Sequence, residues 1–86
     1  MHPGLANVLG SLTLARLTAG AQLFSDGFVK YKDNTHEAAA GLFTQVIEKH
    51  GAEHPFVEPA LLLRARGHAE LDDKASARED LERLLQ

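Results

Sequence analysis

The chain has 86 residues, which is enough for one domain with one modest core, and its 44% apolar and 24% charged residues are ordinary globular usage. Its net charge is −3, from 9 basic and 12 acidic residues, so it lacks the basic patch with which nucleic-acid-binding proteins neutralise phosphates. It contains no cysteine, which excludes disulfides, thiolate metal ligands and cysteine nucleophiles.

The most apolar stretch, from Leu5 to Leu23, does not match a membrane span. A span needs about 20 mainly apolar residues, and here Asn7, Gln22 and a central Arg16 interrupt the pattern. No Lys or Arg precedes the stretch, as a secretory signal requires. We therefore expect a soluble chain with no direct membrane insertion. A cytoplasmic location is favoured, and a periplasmic one stays open if a targeting segment is missing.

Apolar residues at helical spacing predict a long first helix from about Leu5 to Tyr31, with a break or kink near Gly20. Its apolar positions fall on two stripes, so the helix has both a core face and a face for a partner. The stripes consist of Leu5, Val8, Leu9 and Leu12, and then of Leu17, Ala21, Phe24, Phe28 and Tyr31.

A second helix is expected after Asn34, which would cap it in a capping box with Glu37, and it should end at Gly51. A third helix is predicted from near Pro55 to about Leu71, with Val57, Ala60, Leu61 and Leu62 among its apolar residues. Asp72 and Asp73 make a short turn and cap a fourth helix, which carries Ala77, Leu81, Leu84 and Leu85.

No period-2 alternation indicates a strand. The predicted fold class is therefore all-α, with four helices, a long first helix and two antiparallel helix hairpins. The first hairpin is expected at about 5–50 and the second at about 55–86, within a single domain that spans 1–86.

The two hairpins are related by an internal repeat. Residue 72 lies 38 positions after residue 34 (72 minus 34), and at that offset the apolar residues of the second helix fall on those of the fourth. The first and third helices align at the same offset. The equivalent pairs are Asn34 and Asp72, Ala39 and Ala77, Phe43 and Leu81, Val46 and Leu84, Ile47 and Leu85, Leu23 and Leu61, and Gly27 and Ala65. Such a repeat is typical of a helical solenoid.

From about residue 20 to 86 the chain resembles the tetratricopeptide repeat family, whose period is about 34 residues. Ala77 takes the place of the family's close-packed alanine and Leu81 that of its bulky residue four positions later, while the segment 65–81 contains the family's tight acidic turn. The chain departs from the pattern in three respects. Leucine replaces an early aromatic residue, Lys30 and His68 replace a second one, and the connection around 51–58 is about four residues longer.

The resemblance implies a scaffold that presents a groove to a peptide or a helix. The groove positions carried over are Phe24, Phe28, Leu62 and Arg66. They lack the paired lysines and asparagines with which some family members clamp acidic C-termini. We therefore expect a mostly apolar groove with one arginine, suited to an amphipathic helix.

Signals for chemistry are weak. His50 and His54 have the i,i+4 spacing of helical metal ligands, but Gly51 and Pro55 indicate a polar loop, and no third ligand is well placed beside them. No nucleophile elbow or phosphate loop is found, and paired carboxylates are explained by capping. We expect no enzyme, no cofactor, no catalytic residue and no metal site, and a histidine-based metal-binding protein is the remote alternative.

The expected function is a protein-interaction module, an adaptor or scaffold that binds a protein or peptide partner. The alternative is an oligomerisation domain of a larger assembly or an envelope-associated factor, because two hairpins leave apolar surface uncovered. A homodimer or higher oligomer is expected, most simply a two-fold dimer through the first helix, with no nucleic-acid partner. The predicted partner-binding residues are Leu9, Leu12, Phe24, Phe28, Tyr31, Leu62 and Arg66.

Overall fold

A computed structural model describes residues 14–51 and 53–86, and this part of the chain consists of helices and turns without a strand. Consecutive helices pack against one another, and the first also touches the third. Short turns make neighbouring helices antiparallel, which confirms the all-α fold of two hairpins. The helices are α1 (Leu14–Lys32), α2 (His36–His50), α3 (Val57–Glu70) and α4 (Lys74–Leu84).

The turns within the two hairpins have the same geometry. Asn34 and Asp72 both adopt the left-handed conformation, with φ of 63° and 64°. The next residue in each turn donates its N–H back to the preceding helix, from Thr35 to the carbonyl of Lys30 at 2.9 Å and from Asp73 to that of His68 at 2.8 Å. These are Schellman motifs, and they recur at the offset of 38 residues that the sequence predicts.

The expected capping box at Asn34 is wrong. Asn34 ends α1 instead of starting α2, because its amide side chain tolerates the left-handed backbone that reverses the chain. Thr35 takes the N-cap position of α2 without a side-chain cap hydrogen bond. The capping expected of Asp73 is confirmed, since its carboxylate accepts a hydrogen bond from Ser76 N at 3.2 Å. Hydrogen bonding to the Ser76 side chain, and then to its backbone N–H, lowers the pKa of Asp73.

The expected break near Gly20 is also wrong, because α1 runs through this residue without interruption. Gly20 is buried, and a Cβ there would overlap the imidazole of His54. Its lack of a side chain therefore serves close packing. The expected start of the helix at Leu5 lies outside the described residues.

The core is centred on α2, whose Phe43 and Val46 are fully buried between the neighbouring helices. Gly27 of α1 lies directly against the Phe43 ring, where a Cβ would come within 2.7 Å of Cε1. Burial of a phenylalanine side chain is worth about 1.5–3 kcal/mol. The docking of α1 on α2 therefore depends on the absence of a side chain at residue 27. The core cluster consists of Ala39, Phe43, Val46, Ile47, Val57, Ala60 and Leu61.

We predict that Gly27→Ala destabilises the fold although alanine favours helix formation. The new methyl group would overlap Phe43, which has no free space into which to move, and overpacking of this kind costs about 1–3 kcal/mol. Gly41→Ala is the matched control, because a Cβ there meets nothing within 4 Å. It should raise the free energy of unfolding by about 1 kcal/mol. Urea unfolding followed by circular dichroism measures both, and equal stabilisation by the two substitutions would contradict the packing described.

Candidate functional site

The predicted partner-binding residues divide into three groups in the structure. Leu9 and Leu12 lie outside the described residues. Phe24 and Tyr31 are half-buried on the flank of the core. Phe28, Leu62 and Arg66 are exposed on α1 and α3.

Phe24 joins three helical segments through its ring. It stacks on Phe56 with centroids 4.7 Å apart and lies 5.6 Å from Phe43 and 6.4 Å from Phe28. Phe24 therefore contacts the core residue Phe43. Tyr31 lies edge-on against His36 at 5.2 Å. Both side chains thus contribute mainly to packing and only partly to the exposed surface.

The exposed side chains at this site, on α1 and α3, are apolar or basic. Phe28 and Leu62 keep 41% and 43% of their area exposed, which is high for side chains of this size. The ammonium of Lys32 lies 5.6 Å from the centroid of the Phe28 ring, within the range of a cation–π contact. Arg66 adds a second cation on α3. We call Phe28, Lys32, Leu62 and Arg66 the α1/α3 surface.

The connection between the hairpins is not the polar loop that the sequence predicts. His54 is only 2% exposed and His50 is also buried, with their ring centroids 5.1 Å apart. Gly20 provides the space for His54, because a glycine on α1 lets the imidazole approach the helix backbone. This packing fixes the start of α3 against α1.

Hydrogen bonds define the protonation of the His54 ring. Nδ1 accepts the backbone N–H of Phe56 at 3.1 Å, so it carries no proton. Nε2 lies 3.3 Å from the carbonyl oxygen of Leu17 and therefore donates to it. This pattern corresponds to the Nε2–H tautomer of His54, and both nitrogens are engaged. Among the described residues, no group of three or more His, Cys, Asp or Glu could hold a metal ion.

His50 is the less satisfied of the two rings. Its Nδ1 is buried without a hydrogen-bond partner. Burial lowers the pKa of His50, and the nearby His54, Arg16 and Lys49 lower it further. The junction therefore favours a neutral imidazole at this position.

Arg64 joins three helices and was not singled out by sequence reasoning. Its guanidinium donates to both carboxylate oxygens of Asp80 on α4, at 2.8 and 2.6 Å, and to Thr44 Oγ1 on α2 at 2.8 Å. The hydrogen bond with Asp80 raises the pKa of Arg64, while burial acts in the opposite direction. His68 Nε2 lies 3.9 Å from the same carboxylate. The only sequence signal is an arginine among apolar residues on α3, which is also typical of a solvated charge.

A cleft of about 320 Å³ opens between the start of α3 and the end of α4. Its lining is partly apolar, and its two sides carry opposite charges. The lining residues are Val57, Glu58, Leu61, Arg83, Leu84 and Gln86. We call this region the α3/α4 cleft.

No family model, curated protein or solved structure matches the chain. None of the helices in the described part is both long and apolar enough to cross a membrane.

We predict that Asp80→Ala lowers the free energy of unfolding by about 3 kcal/mol, because it leaves the Arg64 guanidinium largely buried and unpaired. Asp26→Ala is the control, since Asp26 is an exposed carboxylate that pairs only with Gln22 on its own helix, and its effect should be within about 0.5 kcal/mol. Chemical denaturation measures both. Combining Asp80→Ala with Arg64→Met should cost less than the two single losses added together, and strict additivity would contradict the coupling.

We predict that stability falls as the pH drops below 6.5, the ordinary pKa of histidine. Since the pKa of His50 is lower in the folded state, the unfolded chain takes up the proton first. The contribution of neutral His50 is complete above pH 6.5 and is lost as the pH falls toward the folded pKa. Thermal melts between about pH 8 and 5 test this. His50→Phe should flatten the dependence, and an unchanged slope in this variant would assign the effect to other groups.

Proposed function

We propose that this domain is a protein-interaction module, tetratricopeptide-like in its repeat, that binds a helix or peptide of a partner across the α1/α3 surface. The observation that carries the proposal is the exposure of Phe28 and Leu62 on the first helices of the two hairpins. Exposed large apolar side chains on adjacent elements are typical of binding surfaces. The role requires no catalytic group.

The internal repeat is consistent with Phe28, Leu62 and Arg66 lying on the same face of the domain. α1 and α3 are parallel to each other, because each is antiparallel to α2, and they are in contact. Phe24 is equivalent to Leu62, and Phe28 to Arg66, at the offset of 38 residues. Equivalent positions in stacked repeats lie on the same side of the array. A ligand laid across α1 and α3 would therefore meet both helices.

The composition of the surface defines the partner that fits it. The aromatic and leucine side chains suit the apolar face of an amphipathic helix, as in other helix-in-groove complexes. Lys32 and Arg66 favour carboxylates on the flank of that helix. The stack of Phe24 on Phe56 supports Phe28 from behind, so the surface is preorganised and loses little conformational freedom on binding.

Self-association is a second candidate function, in which the domain assembles copies of a larger protein. It is favoured by a different observation, the α3/α4 cleft, which is open in the single chain and is lined partly by apolar residues.

We predict that a photo-crosslinking amino acid at residue 28 or 62 forms an adduct with one distinct protein in cells that express the chain. Residue 71 is the control, because Leu71 has the same 43% exposure as Leu62 but lies at the turn between α3 and α4. Arg66→Glu should weaken the adduct, since it reverses the charge that attracts the partner's carboxylates. Mass spectrometry identifies the adduct. Equal labelling from residues 28, 62 and 71 would contradict a specific surface.

A further inference from the structure

The second hairpin leaves exposed two of the three residues whose counterparts are buried in the first. Leu81, Leu84 and Leu85 are equivalent to Phe43, Val46 and Ile47 in the repeat. Leu81 and Leu85 are 45% and 87% exposed, whereas Phe43 and Ile47 are 0% and 3% exposed. The difference arises because α3 packs on α2, whereas among the described helices none packs on α4 in the same manner. Leu84, the third of these residues, lines the α3/α4 cleft.

The two sides of this cleft have opposite charges. α3 contributes Glu58 in its first turn, and α4 contributes Arg83 in its last turn. Because the helices are antiparallel, both residues lie at the same end of the hairpin. Val57, Leu61 and Leu84 also line the cleft. The cleft thus combines apolar residues with an anion on one helix and a cation on the other.

We infer that the α3/α4 cleft binds a second copy of this chain in a two-fold dimer. An axis parallel to the cleft places α3 of each copy over α4 of the other, as an antiparallel four-helix arrangement. Glu58 of one copy then faces Arg83 of its partner, and the reciprocal pair forms at the same time. The alternative axis across the helices would place Glu58 over Glu58 and Arg83 over Arg83, so charge selects the first arrangement.

Head-to-tail stacking, in which α1 of one copy covers the cleft of the next, fits the residues poorly. In that arrangement α1 would take the place that α3 has on the first hairpin. Gln22 would then replace the fully buried Ala60, and Asp26 would replace Arg64. Arg64 contacts Thr44, and Glu82 is the equivalent of Thr44 on α4. The carboxylates of Asp26 and Glu82 would therefore meet in this arrangement. A closed dimer is therefore favoured over an open array.

The dimer does not depend on the proposed α1/α3 surface. The cleft is lined from the start of α3 and the end of α4, whereas Phe28 lies on α1. Substitutions at Phe28 should leave the dimer intact, and those at the cleft should leave a single copy able to bind a partner. Failure of one proposal is thus distinguishable from failure of the other.

Sedimentation velocity on the whole chain over a concentration series tests the inference. We expect twice the 9.3 kDa mass of one chain at about 100 µM. Glu58→Arg and Arg83→Glu should each weaken association by about tenfold or more, because each brings like charges together. Leu85→Lys should also weaken it, and this side chain is too exposed for its replacement to unfold the single copy.

Charge reversal provides the decisive control. An equimolar mixture of the Glu58→Arg and Arg83→Glu chains should associate, because every pair across the mixed dimer is then of opposite charge. A chain that carries both substitutions should also associate with itself, because its residues 58 and 83 again have opposite charges. Lys32→Glu on the α1/α3 surface should have no effect.

Two results would overturn the inference. One is a single-chain mass for the unmodified protein at about 100 µM. The other is a dimer that survives each charge reversal and Leu85→Lys, especially one that Phe28→Ala abolishes, because that would place the interface on α1.

Discussion

The structure depends on the close approach of α1 to α2 at Gly27, where the Phe43 ring lies against a helix backbone without a side chain in between. Phe43 is fully buried only because α1 approaches to this distance. The same approach brings Phe24 between Phe43 and Phe56. One glycine therefore positions the aromatic cluster that joins the first hairpin to the start of α3.

A second glycine positions the junction between the hairpins. Gly20 accommodates His54, and the two hydrogen bonds of the His54 ring connect the backbone of α1 at Leu17 with the turn before α3 at Phe56. The hairpins are thus held together by a buried, hydrogen-bonded imidazole as well as by apolar contacts. Arg64 provides the other connection, since it binds Thr44 and Asp80 on either side of α3.

These packing constraints determine which apolar side chains remain exposed. With Phe24 engaged in the cluster, the next residue on its stripe, Phe28, remains at the surface beside Lys32. With Arg64 satisfying Asp80, α4 is held at one face, and its leucines at 81 and 85 remain exposed. The proposed binding surface and the inferred dimer surface are both consequences of a two-hairpin array in which, among the described helices, α2 and α3 each pack between two neighbours while α4 packs against α3 on one side.

The regular part of the fold follows from sequence patterns. Apolar spacing predicted four helices. The 38-residue offset made Asn34 and Asp72 equivalent, and the two residues adopt the same left-handed backbone conformation in their separate turns. Asn34 was nevertheless assigned the wrong role. Asparagine favours both the start of a helix and the left-handed residue that ends one, so local sequence does not distinguish them.

Long-range contacts could not be predicted in the same way. His54 looks like a loop residue because its burial depends on Gly20, which lies 34 positions earlier (54 minus 20). Arg64 resembles an exposed charge until Asp80 is placed beside it. Among the predicted site residues, Phe28, Leu62 and Arg66 lie at the surface, while Phe24 contributes to packing because Phe56 stacks on it. All three cases depend on contacts between distant segments, which periodicity does not encode.

The central claim is that α4 lacks the covering layer that α2 possesses. Amide hydrogen exchange, measured by mass spectrometry over a range of chain concentrations, tests it most directly. We expect the amides of α2 to be well protected at every concentration and those near residues 81–85 to gain protection as the concentration rises. Protection of these α4 amides that equals that of α2 in dilute solution, and does not change with concentration, would contradict the account.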